Sequence, residues 1–316
     1  MVRASPQEMR CASIDIGTNT ILMLIGEIGG TSNLRPISDF YEVPRIGKSV
    51  SLTGRLDQAS MDRALVVLKK YASIAREQDV ENIFASATSA VRDANNRDEF
   101  IRHVKNETGI SVEIIDGITE GRLVFLGAMS GAKQDSVPTL VVDIGGGSTE
   151  LSYGAGTTPE QVLSIDVGAV RLTERFFKHL PPLEIELEEA KALIEDAMKA
   201  YPFSKIHPRQ VIAVGGTATT LALIAQGKFK FDIGSVEHFK LTTLELADIQ
   251  RKLKPMRPEE ILKLTEAAEG RADVLLAGTI ILLKVLVASR AESFYSTDRG
   301  LRHGYLISRY NRLVGR

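Results

Sequence analysis

Thr139-Leu-Val-Val-Asp-Ile-Gly-Gly-Gly-Ser-Thr-Glu-Leu-Ser-Tyr153 is the stretch whose reading decides the fold. An apolar run over 139–142 ends in Asp143, a turn follows at Gly145-Gly146-Gly147-Ser148-Thr149, and a second strand resumes over 150–153. Two apolar runs joined by a short glycine-rich turn read as a β-hairpin with a polar tip. The same plan occurs earlier: an apolar run over 12–16 containing Asp15, the turn Gly17-Thr18-Asn19-Thr20, and apolar residues again over 21–28. Copies more than a hundred residues apart indicate a duplicated domain rather than a short solenoid repeat.

Working outward, helical spacing over 60–78, with Ser60 as cap, precedes a strand over 82–87, a helix over 99–106 and a strand over 112–115. A helix over 120–130 leads into the second hairpin. Beyond it the pattern gives a strand over 161–167, helices over 172–178 and 185–198, a strand over 210–214 and a helix over 217–224. Pro181-Pro182, 228–234 and 255–258 read as loops, and the final third reads as mostly helical, ending in a helix over 301–313. Alternation of strand and helix is the mark of an α/β fold, and 316 residues suit two domains, each with its own core.

Composition narrows the function classes. Hydrophobic residues at 44% and charged residues at 25% describe a folded globular chain. A net charge of −1 supplies no bulk basic field, so nucleic acid is not an expected partner, and an anionic ligand must be met by locally placed Arg, Lys, backbone amides or metal. Cys11 is the single cysteine, read as packing ahead of the first strand; it excludes an intrachain disulfide framework and a multi-thiolate zinc site. The five histidines are scattered, which disfavours a histidine metal site. Residues 1–10 are polar without a basic-then-apolar leader, and the apolar stretch 274–288 is too short to span a bilayer, so no membrane partner and a cytoplasmic location are expected.

Glycine turns expose backbone N–H groups to which a phosphate can come close, and Thr18, Thr20, Ser148 and Thr149 add hydroxyl donors. One such turn is equally what any tight hairpin uses. Two, each beside an apolar-Asp step, point to phosphate, with Asp143 and Asp15 as candidate Mg²⁺ ligands. A third cluster, Val214-Gly215-Gly216-Thr217, follows a strand and opens a helix, where N–H groups and the helix dipole favour an anion. It lacks the third glycine of the dinucleotide fingerprint, and the chain contains no Walker A sequence, no His-Glu-x-x-His pair and no Gly-x-Ser-x-Gly elbow.

Asp15-Ile-Gly-Thr-Asn-Thr20, Asp143-Ile-Gly-Gly-Gly-Ser-Thr-Glu150 and Val214-Gly-Gly-Thr217 resemble the two phosphate motifs and the adenosine motif of the actin/Hsp70/sugar-kinase superfamily. Ala85-Ser-Ala-Thr-Ser-Ala-Val-Arg92-Asp-Ala94, Thr119-Glu120-Gly-Arg-Leu123, Gly270-Arg-Ala-Asp273 and Asp298-Arg-Gly-Leu-Arg-His-Gly304 resemble, within it, the exopolyphosphatase/guanosine pentaphosphate phosphohydrolase (Ppx/GppA) family, over about residues 12–307. Gly121 departs from the Ala that often follows the Glu, and His303 from a common Glu.

The resemblance implies two actin-like (ribonuclease H-like) domains with an interdomain cleft: 1–124 completed by the C-terminal helix 299–316, and 125–298. It implies hydrolysis of terminal phosphoanhydride bonds of polyphosphate, or of pppGpp to ppGpp with a link to the stringent response. It also implies Mg²⁺, with K⁺ as a further cofactor candidate, and a homodimer. The expected site comprises Glu120 as base, Glu150 as second carboxylate, Arg92 as phosphate clamp, and the amides and hydroxyls of Gly17, Thr18, Asn19, Thr20, Gly145, Gly146, Gly147, Ser148, Thr149, Gly215, Gly216 and Thr217 as substrate contacts. On the residues alone, Glu120 is equally a dipole-stabilising glutamate in a first helical turn, and Arg92 a surface residue. Arg45, Lys48 and Arg55 around a loop, and Arg171, Arg271 and Arg302, are weaker candidates. An ATP-dependent small-molecule kinase or a non-hydrolysing nucleotide-polyphosphate sensor are the competing functions.

Overall fold

The computed structural model describes residues 8–30, 33–131 and 137–315; the first seven residues of the expected polar N-terminus lie outside them. The chain divides into two compact units, Met1–Asp116 with Leu301–Arg316, and Gly117–Gly300.

In the first unit, β1 (Met9–Ile16), β2 (Ile21–Gly29) and β3 (Asn33–Glu42) form an antiparallel meander. β4 (Asn82–Ala87) runs parallel to β1, and β5 (Val112–Ile114) parallel to β4. The sheet order is β3-β2-β1-β4-β5. Ala12, Ile14, Ile16, Ile21, Met23 and Ile25 alternate onto one face and share a core with Leu68 and Tyr71 of the helix Gln58–Glu77 and Phe100 and Val104 of the helix Arg97–Thr108. The helix Leu301–Leu313 packs against β1, β2 and β4.

In the second unit, β6 (Thr139–Ile144), β7 (Thr149–Ala155) and β8 (Thr158–Ile165) repeat the meander. β9 (Gln210–Val214) lies parallel to β6, β10 is Phe239–Thr242, and β11 (Ser293–Thr297) lies parallel to β9. Its order, read from the far edge, is β8-β7-β6-β9-β11-β10. Five of these strands reproduce the order and directions of the first unit, and β10 is an addition on the edge. This is the duplicated α/β plan expected from the two hairpins, and the ribonuclease H-like one that the resemblance implies. The apolar stretch near 274–288 is the buried helix Leu275–Ala288, and among the described residues no helix is long and apolar enough to cross a membrane.

Several local expectations are corrected. The helix expected over 60–78 starts at Gln58 and is capped by Asp57, whose side chain accepts from Ser60 N–H, because the carboxylate is the stronger acceptor at a helix start. Cys11 lies inside β1, not ahead of it, and is buried. The final third contains β10 and β11 among its helices. The expected division at 124/125 would cut the helix Gly117–Met129, which packs on β7 and β8 and belongs whole to the second unit.

Candidate active site

In the second unit, Asp143 on β6 pairs with Glu150 on β7, and Glu150 pairs in turn with Ser164 on β8. Residues opposite one another in a sheet project from the same face, so Asp143, Glu150 and Ser164 form a row. Their neighbours Leu140, Val142, Ile144, Leu151 and Ile165 alternate to the other face and fill the core. The row is therefore turned away from the core and toward the helix Gly117–Met129, which carries Glu120. Glu150 and Glu120 are both buried. Burial pushes the Asp143 carboxyl up to about 6.

The turn beside this row is held from behind. Gly145 N–H donates to Ser148 O at 3.0 Å, and the Gly145 and Gly146 carbonyls accept from Ala169 N and Val170 N, both at 2.9 Å. Arg171 Nε donates to Gly147 O at 2.8 Å. With its carbonyls spent on the start of the helix Ala169–Phe176, the turn keeps its donors: among the described residues no hydrogen bond is drawn from the N–H of Gly146 or Gly147. Such a concavity of backbone N–H groups suits an anion. Thr149 is a correction to the expected donor set. Its hydroxyl donates to Val167 O at 2.6 Å in full burial, so its one proton is not available to a substrate.

The third cluster meets the same carboxylate. Gly215 opens the helix Gly215–Gln226 at φ 82°, and a Cβ there would lie 3.1 Å from Asp143 Oδ1. The guanidinium of Arg271 lies so close over Gly216 that a Cβ at that position would stand 1.4 Å from Nη1. Thr217 is buried, and its side chain lies against Gly278. The second unit thus gathers Asp143, Glu150, Glu120, the 145–149 turn and the 215–217 junction. Arg171 and Arg271, weak candidates from sequence, both go to these elements.

The first unit repeats the device. Gly17 N–H donates to Thr20 O at 2.9 Å, the Thr18 carbonyl accepts from Gly47 N at 2.8 Å, and the Asn19 carbonyl from Arg45 N at 3.0 Å. Asp15 pairs with Leu22 and Ser86, on the sheet face opposite the core. Arg92, in the helix Ser89–Asp93, donates from Nη1 to Ile115 O at 3.2 Å and lies 3.6 Å from Asp93 through Nε. Arg302 pairs with Asp39, Nη2 to Oδ2 at 2.7 Å, which accounts for it structurally.

Sequence reasoning picks out Arg45 and Arg171 but not that their segments hold the turns. Pro44-Arg45-Ile46-Gly47 follows β3, and Val167-Gly168-Ala169-Val170-Arg171 follows β8. An Arg and a Gly just after the third strand of each meander was the available signal.

Among the described residues no group of three or more His, Cys, Asp or Glu could hold a metal ion by itself. Asp143 with Glu150 nevertheless fits Mg²⁺, which is commonly bound by one or two carboxylates while phosphate oxygens and water complete its octahedron.

The Ppx/GppA phosphatase family profile matches residues 25–313. Exopolyphosphatase 2 of Mycobacterium tuberculosis is 32% identical over 285 residues, covering 86% of this chain and 88% of that one. A crystal structure of the Aquifex aeolicus member of the Ppx/GppA family shares 34% identity at a TM-score of 0.81, covering 97% of this chain and 99% of that one. A crystal structure of an exopolyphosphatase from Cytophaga hutchinsonii shares 28% identity at a TM-score of 0.88, covering 97% and 98% respectively.

Proposed function

This chain belongs to the Ppx/GppA phosphatase family, and from that premise we propose that it removes terminal orthophosphate from inorganic polyphosphate, with pppGpp as the second substrate to be compared. The observation that carries the reading is the pairing of Asp143 with Glu150 beside a turn whose carbonyls are spent and whose Gly146 and Gly147 N–H groups are not. A kinase on this scaffold needs the turns but has no use for Arg92 or Glu120. Relatives named exopolyphosphatases support the polymer as substrate.

Terminal phosphoryl transfer to water needs charge neutralised on the phosphate oxygens, an in-line water and a group that orients it. The N–H groups of the glycine turns hold the phosphates. Glu120, in the first turn of its helix, accepts the proton of the attacking water; Glu150 orients that water as the second carboxylate. Arg92 grips the phosphate to be released, its guanidinium offering a planar fork to two oxygens. Asp143, with Glu150 beside it, is the carboxylate offered to Mg²⁺, which when bound would supply charge neutralisation on the phosphate oxygens; Asp15 holds the equivalent place on the first unit's own sheet.

The test is phosphate release with Mg²⁺ from long-chain polyphosphate, pppGpp, ppGpp and ATP, side by side. Release from polyphosphate, reduced on the order of 10² or more in Glu120→Gln with substrate binding retained, is the expected result. Binding without any release makes the chain a sensor. Phosphate transfer from ATP to an acceptor, with no release from the other three, makes it a kinase.

A further inference from the structure

Two serines on the sheet of the second unit, Ser152 buried and Ser164 half-buried, have hydroxyls committed to the elements that bear the two glutamates. Ser164 Oγ on β8 donates to Glu150 Oε1 at 2.7 Å. Ser152 Oγ on β7 donates at 3.0 Å to the carbonyl of Gly121, the residue after Glu120. Ser152 lies two residues beyond Glu150 on one strand and so on the same face; Ser164 stands opposite Glu150 on the next.

Close packing of the helix Gly117–Met129 makes both bonds possible. Gly117 and Gly121 are four residues apart and lie one above the other on the side of the helix that meets the sheet. A Cβ at Gly117 would stand 2.2 Å from Ser164 Oγ and 3.8 Å from Glu150 Oε1, and one at Gly121 2.9 Å from Ser152 Oγ and 3.5 Å from Glu150 Cβ. The Glu150 side chain therefore runs along the helix from Gly121 toward Gly117. Its carboxylate reaches the N-terminal turn, where the helix dipole favours a negative charge.

We propose that Ser164 and Ser152 are positioning residues for the hydrolytic reaction: Ser164 fixes the Glu150 carboxylate, and Ser152, by fastening the helix at Gly121, fixes Glu120. The inference rests on the function proposed above and deepens it. Neither serine need touch substrate. A hydroxyl that only satisfies a buried polar group would contribute to stability alone; one that sets the aim of a reacting carboxylate also moves turnover while substrate affinity stays.

The experiment compares Ser164→Ala and Ser152→Ala with the wild-type enzyme, and places Ser164→Ala also in a Glu150→Gln background, measuring kcat and KM for long-chain polyphosphate together with thermal unfolding. Expected are folded variants whose KM stays within about twofold and whose kcat falls about ten- to a hundredfold, the range typical of residues that orient a reacting group. In the Glu150→Gln background Ser164→Ala should lower kcat little further, since it acts through that carboxylate. Unchanged kcat, or the same fractional loss from Ser164→Ala in both backgrounds, overturns the proposal. Should an alanine variant not fold, Ser164→Cys and Ser152→Cys keep the volume with a weaker donor, and the same kcat-against-KM criterion applies to them. Absence of phosphate release by the wild type is a failure of the functional reading instead. In that event the Ser164–Glu150 arrangement is still judged by the coupling of the two substitutions in thermal stability, and additive effects overturn it.

Discussion

Asp143 and Glu150 stand directly opposite one another across the β6–β7 hairpin, so two carboxylates leave the sheet side by side on the face that bears neither Leu140 nor Val142. Burial already pushes Asp143 up to about 6 from an ordinary 3.8. A carboxyl whose folded pKa is raised holds its proton more tightly when folded, so its contribution favours folding at low pH and is lost as pH rises from about 4 through about 6. Asp143→Asn should therefore leave the metal-free protein more stable than wild type above pH 6, by on the order of 1–3 kcal/mol, with the difference closing near pH 4. Denaturant unfolding across that pH range checks it. The same variant should lose most phosphate release, because the cation that would offset this charge loses its ligand.

Gly168 tests whether the turn works as a preformed cradle. A Cβ at this position would stand 2.4 Å from Gly146 O and 2.5 Å from Gly146 C, both main-chain atoms that can yield only by moving the turn. Gly168→Ala is expected to cost about 1–3 kcal/mol, as overpacking does, and to reduce phosphate release more than tenfold. Gly156→Ala is the comparison: its Cβ meets nothing within 4 Å, and its positive φ of 70° alone should cost about 1 kcal/mol without affecting turnover. Equal turnover in the two variants would remove the cradle from the account.

Legibility followed the range of the interaction. Both hairpins could be read because Asp15 and Asp143 each stand between an apolar strand and a glycine turn, a local pattern; β9 and the helix Leu301–Leu313 were equally plain. β10 and β11 escaped notice because four or five residues such as Ser293-Phe-Tyr-Ser-Thr297 carry no clear period, and the sheet rather than the segment makes them strands. The type and place of Thr149 fit a phosphate donor; that Val167 O takes its proton depends on a residue in another strand's exit. Ser164, Gly168 and Arg271 acquire their meaning only from Glu150, Gly146 and Gly216, far away in sequence.

Arg271 over Gly216 gives a prediction about binding rather than chemistry. Even the methyl of alanine at 216 would coincide with the guanidinium, so Gly216→Ala must displace Arg271, the flexible partner, more than the helix. The unfolding temperature should change by only a few degrees, while KM for the polyanionic substrate rises about tenfold and kcat changes less. Arg271→Ala should reproduce the effect, and adding Gly216→Ala to it should do little more, since the clash is gone. Independent, multiplying effects on KM would show that Gly216 acts through its own backbone and not through Arg271.

Asp57 governs the first turn from a distance. Its carboxylate caps the helix Gln58–Glu77 through Ser60 N–H at 2.9 Å and accepts from Ser60 Oγ at 2.6 Å. Ser60 Oγ accepts from Arg63 Nη2 at 2.7 Å, and Arg63 Nε donates to Pro44 O at 2.9 Å, beside the Arg45 and Gly47 amides that hold the Thr18–Asn19 turn. The bond from Ser60 holds Asp57 below the usual carboxylate range. A depressed folded pKa means stability that is present above the unfolded value and lost as pH falls through the folded one. Asp57→Ala should thus cost about 0.5–1 kcal/mol at pH 7, the lower part of the range for an N-cap because the group is exposed, and the difference from wild type should shrink below about pH 4. Turnover should fall severalfold at pH 7, since the chain Asp57, Ser60, Arg63, Pro44 is cut at its first link. Denaturant unfolding at pH 3 and pH 7, together with phosphate release at pH 7, separates the outcomes: lost stability with full turnover would mean that the 44–47 segment holds the turn without help from the helix.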